Sequence, residues 1–402
     1  MSVIEMHAYR ASEAASRADW QCALAYTNRG KVEKHVANVR VLLRLHPDWS
    51  GSLAYDEFSG RALFHGRDLR DEDVTEFRAW CSVAPGVGVC PSAADVHATM
   101  ALVAREKPVH PVRDYLADVV WDGVPRIGRW LTTYLGVTDT LYTQTVGTRW
   151  LISAVARVWE PGCKADHVLI LEGAQGVGKS TALSVLAGPW FSDTPLDLGN
   201  KDAYQALRGK WIVELGELAA LRRAEVERVK AFFSASIDSY RPSYGRLSID
   251  VPRQCVFAGS TNHAAYLQDE TGGRRFWPVA VGAIDLAALR RDRDQLWAEA
   301  LDCYAGGAAW HIDTVEAVRA AVAEQSDRAA EDVWTERLSD WLATADSSPL
   351  TSARILREAL DREDGNQTDA DAKRVAKIMR QLGYEHTRRR LEGEPTRIWV
   401  AK

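Results

Sequence analysis

A glycine-rich octapeptide, GAQGVGKS at residues 173–180, carries the clearest chemistry in this sequence. It fits the pattern GxxxxGK[ST], whose glycines let backbone N–H groups turn inward around phosphate oxygens. Apolar residues before it predict a strand, and the run TALSVLAG after it predicts a helix, which is the context that such a loop requires. We therefore predict a site for ATP and Mg²⁺, in which Lys179 faces the β- and γ-phosphates and Ser180 ligates the metal. The residues of this site are Gly173, Ala174, Gln175, Gly176, Val177, Gly178, Lys179, Ser180 and Thr181.

Two carboxylates follow the next predicted strand, in the run WIVELGE at residues 211–217. In enzymes with a loop of this kind, a carboxylate at the end of a neighbouring strand holds Mg²⁺, and a second one polarises the attacking water. We assign water activation to Glu217, at the strand exit, and the metal side to Glu214, and both carboxylates are candidate metal ligands beside Ser180. A glutamate in mid-strand is also compatible with an ordinary solvated edge position, so both interpretations of Glu214 stay open.

A third predicted strand, CVFAGSTN at residues 255–262, also ends in polar residues. Asn262 is placed there to hydrogen-bond the γ-phosphate or to orient the water, and so to report whether the nucleotide is intact. Ser-Thr-Asn is by itself ordinary turn chemistry. Its order, after the glycine-rich loop and the acidic strand, favours the functional interpretation.

Two adjacent arginines, Arg274 and Arg275, stand in a segment that starts with glycines just beyond that strand. A guanidinium group in such a place can stabilise charge that develops on a transferring phosphoryl group. Because Lys179 and a metal already serve the local loop, we expect these arginines to reach the nucleotide of a neighbouring subunit. The alternative is a structural arginine pair that bridges acidic surface residues.

Four regions position these residues along the chain. Residues 1–110 combine a helical stretch, VANVRVLLRL, with a short hairpin in SLAYDEFSGRALFHG, and residues 111–165 predict a helical collar or linker. Residues 166–315 alternate strand-like and helical runs, which predicts an α/β domain with a largely parallel sheet. Residues 332–402 predict three amphipathic helices followed by a hairpin, which is the layout of a winged helix.

The composition places the chain among folded proteins with several domains. Of 402 residues, 46% are hydrophobic, and 50 basic against 55 acidic side chains give a net charge of -5, which excludes disordered and fibrous classes. Six cysteines without a CxxC pair indicate neither a disulfide framework nor a zinc site. Because the sequence has neither a secretory signal nor a membrane-length apolar run, we expect a cytoplasmic protein without a membrane partner.

The segments GAQGVGKST, WIVELGEL, ERVKAFFSASIDSYRPSYGR, PRQCVFAGSTN and TGGRRFWPV, in this order and spacing, resemble the virulence-associated protein E family. Its members are P-loop ATPases of phages and mobile elements, similar to superfamily-3 helicases and to the helicase half of primase-helicases. The resemblance is specific across residues 166–280 and covers most of the chain. It implies an α/β fold with a P-loop NTPase core of the AAA+-like superfamily-3 type, a helical N-terminal region and a C-terminal winged helix.

The resemblance also implies a homo-oligomeric ring, expected to be hexameric, with ATP between subunits and single-stranded or forked DNA in the pore. Superfamily-3 rings project a hairpin into the pore from between the acidic strand and the asparagine strand. Here that interval contains arginines with interleaved tyrosines, residue types that bind phosphates and stack on bases. Some of these arginines are equally placed to face the subunit interface. The predicted DNA contacts are Arg241, Tyr244, Arg246 and Arg253.

The C-terminal residues 371–402 are basic, with nine basic against four acidic side chains and thus a net charge of +5. In a winged helix, the third helix and the wing are the surfaces that meet duplex DNA. Many winged helices mediate protein contacts instead, and a charged run is often only a solvated face. The predicted DNA contacts in this tail are Arg374, Lys377, Arg388, Arg389 and Arg390.

The N-terminal region lacks the pattern of a primase, which larger relatives carry. A primase needs a cluster of carboxylates on strands to bind metal, whereas the DxD run Asp71-Glu72-Asp73 lies in a polar stretch that predicts a solvated helix start. We therefore expect no primase activity from this chain. Residues 1–110 are expected to serve assembly or docking, with a separate primase or replication initiator as a partner.

These patterns predict an ATP-driven ring translocase, most directly a DNA helicase, for the replication of a phage or mobile element in the cytoplasm of a bacterial host. One alternative is a nucleotide-gated initiator or loader that hydrolyses ATP without processive unwinding, with the winged helix supplying specificity. Another is a ring ATPase of defence or packaging, for which the sequence shows no dedicated nuclease or portal-binding feature.

Overall fold

The chain forms two compact units, one between residues 20 and 327 and one between residues 333 and 401. They are seen in a computed structural model. The described residues are 20–197, 202–216, 231–242, 247–262, 275–327, 333–346, 348–391 and 394–401. None of the described helices is long and apolar enough to span a membrane.

The N-terminal part of the first unit is a small α+β layer with a core of its own. Its four-stranded sheet has the order β3-β2-β1-β4, and the predicted hairpin is confirmed, since Leu53 pairs with Phe64 and Asp56 with Arg61. The helices bury aromatic and aliphatic side chains such as Phe77 against this sheet. In chain order the elements are α1 Val36–Leu45, β1 Leu53–Asp56, β2 Arg61–Phe64, β3 Arg67–Asp68, α2 Asp71–Val83, α3 Ala93–Ala104 and β4 Pro108–Val109.

The acidic run that resembles a DxD motif is a helix start, as predicted, but its third residue, Asp73, is buried and not solvated. Helix α2 begins at Asp71, and the buried Asp73 carboxylate accepts from the Arg70 backbone N–H at 2.7 Å. The same carboxylate is paired with the Arg67 guanidinium at 2.5 and 2.8 Å, and both contacts hold its pKa below the usual range. Asp73 therefore caps a helix.

Three helices follow, and they pack into the same hydrophobic core as the central sheet. Trp150 donates through its indole N–H to the Phe257 carbonyl at 2.9 Å, and Trp211 donates in the same way to Ala154 at 2.8 Å. The long third helix is buried on most of its sides. The expected collar or linker at residues 111–165 is thus not separate from the sheet, because its apolar side chains need the sheet as a partner. The helices are α4 Pro111–Asp118, α5 Trp130–Leu135 and α6 Leu141–Trp159.

The central sheet has five strands in the order β11-β5-β10-β7-β6, and every neighbouring pair is parallel. This confirms the predicted α/β architecture. All five residues of β5 are buried, which explains its uninterrupted apolar sequence. The elements are β5 Val168–Glu172, α7 Lys179–Ala187, β6 Phe191–Ser192, α8 Asp202–Ala206, β7 Ile212–Leu215, β10 Val256–Thr261, β11 Phe276–Ala280, α9 Leu286–Ala305 and α10 Val315–Asp327.

A separate hairpin interrupts the chain between β7 and β10. Its strands, β8 Ile237–Tyr240 and β9 Ile249–Pro252, pair in an antiparallel manner. At its base the fully buried Arg253 guanidinium forms an ion pair with Asp238 and donates to the Phe232 carbonyl. The prediction that Arg253 contacts DNA is therefore corrected: its donors face the protein interior and anchor the hairpin.

The second unit contains three helices and then a hairpin, the element order predicted for a winged helix. Its core joins the helices to Trp399 of the hairpin, and the Trp399 ring stacks on His386 with centroids 3.5 Å apart. The elements are α11 Val333–Thr344, α12 Ser352–Glu358, α13 Asp369–Gln381, β12 Tyr384–Leu391 and β13 Glu394–Ala401.

Replacing Arg253 by Met should lower the free energy of unfolding by about 3–5 kcal/mol, because the Asp238 carboxylate would stay buried without its counter-charge. Urea unfolding of the full chain, followed by tryptophan fluorescence, measures the change. The matched control is Arg241→Met, on the exposed end of the same hairpin, with an expected effect within about 0.5 kcal/mol.

The double variant Arg253→Met/Asp238→Leu removes both charges and should recover most of the lost stability. If it were no more stable than Arg253→Met alone, the pairing of the two charges would not be what anchors the hairpin.

Candidate functional site

The glycine-rich loop connects the carboxyl end of β5 to the first turn of α7. Gly176 and Gly178 have φ angles of 83° and 98°, in the left-handed region that favours glycine. Gly178 also occupies the N-cap position of α7, where it has no side-chain oxygen to satisfy the first N–H groups of the helix. These N–H groups and the helix dipole favour an anion at the loop. A side chain at either glycine would disturb the curve that exposes them.

Lys179, the first residue of α7, folds back over the loop. Its Nζ donates to the carbonyls of Gly173 and Ala174 at 2.6 and 2.8 Å, and to Oδ1 of Asn262 at 3.2 Å. Only 7% of the residue is exposed, and this burial lowers the pKa of its ammonium group. The structure thus brings the predicted lysine and the predicted asparagine together, although 83 positions separate them.

Ser180 and Glu214 form the second contact of the site. The Ser180 hydroxyl donates to Oε1 of Glu214 at 2.8 Å, and Glu214 is 3% exposed. Because it is this deeply buried, the glutamate does not occupy a solvated edge position, and that alternative is wrong. Among the residues that the structure describes, its second oxygen, Oε2, is buried and has no hydrogen-bond partner.

The Ser180–Glu214 pair fits a magnesium ion. A buried carboxylate oxygen that lacks a donor needs a cation or a water to offset its desolvation. Mg²⁺ is usually held by one or two protein oxygens, with waters and phosphate oxygens completing its shell. The described residues contain no cluster of three or more His, Cys, Asp or Glu side chains that would form a metal cage without a nucleotide. The donor set therefore suits a metal that arrives with a phosphate ligand.

The strand register explains why these side chains converge. Glu172 pairs with Thr261 across β5 and β10, and Ala258 pairs with Glu214 across β10 and β7. The carboxyl ends of the three strands therefore lie at one edge of the sheet, where the loop begins. The Gly173 N–H donates to the Thr261 carbonyl at 3.1 Å, which ties the loop to the strand that ends in Asn262.

Arg275 lies at the opposite end of the strands, where β11 and β5 begin. Its neighbour Phe276 pairs with Val168, the first residue of β5, whereas the loop follows Glu172, the last one. Five residues of strand, or roughly 16 Å, thus separate Arg275 from the loop of its own chain. Its Nε lies 3.5 Å from a carboxylate oxygen of Asp166, which agrees with the alternative of a structural ion pair. The structure does not bring Arg275 to the site.

Four predicted site residues lie outside the described residues: Glu217, Tyr244, Arg246 and Arg274. Arg241 is described and exposed, directly after β8.

The predicted wing contacts Arg388, Arg389 and Arg390 are exposed on β12. Alternation along the strand places Arg388 and Arg390 on one face and Arg389 on the other. Arg388 also lies directly opposite Arg397 of β13, where two like charges repel unless an anion lies near them. Arg397 was not among the predicted contacts. Pairing the two strands of the predicted hairpin residue by residue from its turn would have placed Arg397 opposite Arg388.

The two predicted contacts on α13 differ in their surroundings. The Arg374 guanidinium stacks over the Trp334 ring, 3.9 Å from its centroid, and Lys377 is partly buried. A stacked guanidinium keeps donors along its edge, so this contact orients Arg374 without removing its charge.

Comparison with known proteins finds one family match. The family described as the virulence-associated protein E-like domain matches residues 116–330. Among solved structures, an apo structure of the NrS-1 C-terminal region is similar at 17% identity and a TM-score of 0.44, covering 71% of this chain and 78% of that one. An apo structure of NrS-1 residues 305–718 gives 14% identity and a TM-score of 0.44, covering 87% and 96%. No curated protein matches at a significant level.

Glu214→Gln is expected to weaken the Mg²⁺-dependent part of ATP-analogue binding by roughly 10–100-fold, because the charge beside Ser180 is lost. Titration of Mg²⁺ against a fluorescent, non-hydrolysable ATP analogue measures this. Binding of the same analogue without Mg²⁺ is the control and should change little. An unaltered Mg²⁺ titration would rule out Glu214 as the metal-side residue.

Proposed function

This chain belongs to the virulence-associated protein E-like family, and on that premise we propose that it is an ATP-dependent, ring-forming DNA translocase, most directly a helicase. Its proposed role is the replication of a phage or other mobile element. The observation that carries the proposal is the convergence of Lys179, Ser180, Glu214 and Asn262 at one edge of the sheet. Residues of these types, brought together from three strand ends, can hold a nucleoside triphosphate and sense its last phosphate.

In the proposed site Lys179 exchanges its bonds to loop carbonyls for bonds to phosphate oxygens. Ser180 and Glu214 hold Mg²⁺, which when bound neutralises charge on the β- and γ-phosphates. Asn262, already within reach of the lysine, contacts the γ-phosphate or the attacking water. Glu217 is proposed to accept a proton from that water while the oxygen of the water attacks the γ-phosphorus. The bond to the bridging oxygen then breaks, and ADP leaves with the electron pair.

The proposal places the arginine finger in a neighbouring subunit. Arg275 is roughly 16 Å along the sheet from its own loop, farther than an arginine side chain extends, so it needs a second copy to meet a nucleotide. Its neighbour Arg274 is proposed for the same role. ATP would then lie between subunits of a ring, proposed to be a hexamer, and hydrolysis would depend on their contact.

DNA contact is proposed at the hairpin and at the basic tail. Arg241 is exposed at the end of β8, while the buried Arg253–Asp238 pair holds the base of the hairpin in place. Such an anchor would let a hairpin transmit a domain movement to a bound strand. Tyr244 and Arg246 are proposed to act with Arg241.

A second candidate function is an initiator or loader that hydrolyses ATP without processive unwinding. It is favoured by the second unit, where exposed arginines extend along the hairpin and Arg388 faces Arg397. A surface of this kind suits duplex DNA, which a loader must hold before any strand is separated.

Strand displacement on forked DNA separates the two functions. A helicase should unwind the fork with ATP and Mg²⁺, and Lys179→Ala should lower both ATP hydrolysis and unwinding by about 10²-fold or more. Lys107→Ala, an exposed lysine of the N-terminal region, is the matched control. ATP hydrolysis that DNA stimulates without unwinding would favour the loader. Full activity of Lys179→Ala would rule out the proposed nucleotide site.

Mixing two inactive variants tests whether Arg274 and Arg275 act on the nucleotide of a neighbouring subunit. Glu214→Gln and Arg274→Ala/Arg275→Ala protomers should each be inactive alone, and mixing should restore part of the ATPase activity, because some interfaces then combine an intact loop with intact arginines. Inhibition of wild-type protein by each variant shows that subunits exchange. Exchange without recovery would show that the arginines act within their own chain or play no part in hydrolysis.

A further inference from the structure

An exposed loop of the N-terminal region, residues 25–34, is held in one conformation by a buried amide. The Asn38 side chain is 2% exposed, and its Nδ2 donates to the carbonyls of Ala25 and Glu33 at 2.8 and 2.9 Å. Its Oδ1 accepts from the Ala25 N–H at 2.8 Å. Asn38 therefore pins both ends of the loop at once.

Hydrogen bonds inside the loop fix its tip as well. Tyr26 and Val32 form a β-bridge, and the Thr27 N–H donates to the Lys31 carbonyl at 2.8 Å. The Thr27 hydroxyl accepts from the Lys31 N–H at 3.2 Å, and Gly30 takes a φ angle of 72° at the turn. Val32 is the one buried apolar side chain of the loop, whereas every residue from 25 to 31 is exposed, so the order of the tip does not serve the burial of apolar side chains.

Three exposed cations, Arg29, Lys31 and Lys34, lie in this loop, and within the described residues none of them forms an ion pair. Several other cations of the same region form ion pairs: Arg40 and Arg44 with Glu106, Arg61 with Asp68, and Arg67 with Asp73. Three like charges within six residues repel one another, and Glu33 is the single acid among them. A fixed loop that concentrates unpaired positive charge is arranged for an anionic ligand.

A groove beside the loop provides the space for that ligand. It is open to solvent, has a volume of about 840 Å³, and its lining includes Tyr26, Lys31, Glu33, Lys34 and the segment 86–89. Arg29 belongs to the same loop but does not line the groove. Tyr26, one of the lining residues, is 44% exposed. Two lysines against one glutamate leave the lining with a net positive charge. A positive groove with an exposed aromatic side chain suits single-stranded nucleic acid, whose phosphates meet the cations and whose bases stack on the ring.

We propose that the loop 25–34 binds the phosphate backbone of single-stranded DNA, independently of sequence. The inference rests on the proposed function and extends it, because it gives the N-terminal region a DNA contact of its own, separate from the hairpin and the tail. Lys31 and Lys34 line the groove, and Arg29 carries the positive charge further along the loop, so an extended polyanion can meet more of these cations than a single small anion can.

The test is a triple variant, Arg29→Ala/Lys31→Ala/Lys34→Ala, in the full chain without nucleotide. Fluorescence anisotropy with a labelled oligothymidylate measures binding across a series of salt concentrations. Loss of three phosphate contacts should reduce the slope of log K against log salt by about 2, and affinity at about 0.1 M salt should fall roughly 10- to 100-fold. The matched control, Arg40→Ala/Arg44→Ala/Arg61→Ala, removes three paired cations of the same region and should leave the slope almost unchanged.

The outcomes distinguish the inference from the function on which it rests. If the wild-type protein binds DNA and both triple variants lose DNA affinity to the same extent, the loop makes no contact with DNA beyond general charge. The inference is then overturned, while the proposed function stands. If wild-type protein does not bind DNA, both are overturned. Inorganic phosphate is then compared as a competitor with chloride at the same ionic strength. If phosphate displaces the DNA strand from the wild-type protein but not from the loop variant, the loop binds phosphate, as proposed.

Discussion

The parallel pairing of β5 with β10, and of β10 with β7, is the constraint on which the candidate site depends. Parallel strands end at the same edge of a sheet, so residues far apart in sequence meet there without further adjustment. Lys179 reaches Asn262 and Ser180 reaches Glu214 only because Glu172 is in register with Thr261, and Ala258 with Glu214. A shift of one residue in either pair would turn a side chain to the opposite face of the sheet.

The same pairing separates the two ends of the proposed catalytic machinery. Because β11 runs parallel to β5, Arg275 is confined to the edge at which both strands begin, and the loop to the edge at which they end. Arg275 is therefore kept away from the loop of its own chain by the direction of these two strands. The proposed role for a second copy of the chain rests on this separation.

Two groups of buried charged residues differ in how their charges are satisfied. Arg253 and Asp238 satisfy each other in the protein interior and support a hairpin. Glu214 keeps an oxygen without a partner among the described residues, and Lys179 is held by carbonyls that a phosphate can replace. The first arrangement is complete and structural. The second offers a carboxylate oxygen to a cation and an ammonium group to an anion, which is the donor set that the proposed metal-bound nucleotide would use.

Sequence patterns alone determined the glycine-rich loop, the strand and helix around it, the parallel α/β core, the N-terminal hairpin and the order of elements in the C-terminal unit. These features follow from hydrophobic periodicity and backbone preferences, and both depend on residues that are close together in the sequence. The burial of Glu214, the structural role of Arg253 and the pinned loop at Asn38 were decided by tertiary structure. Each depends on partners distant in the chain, and arginine or glutamate has the same local pattern whether it faces solvent, a ligand or a buried counter-charge.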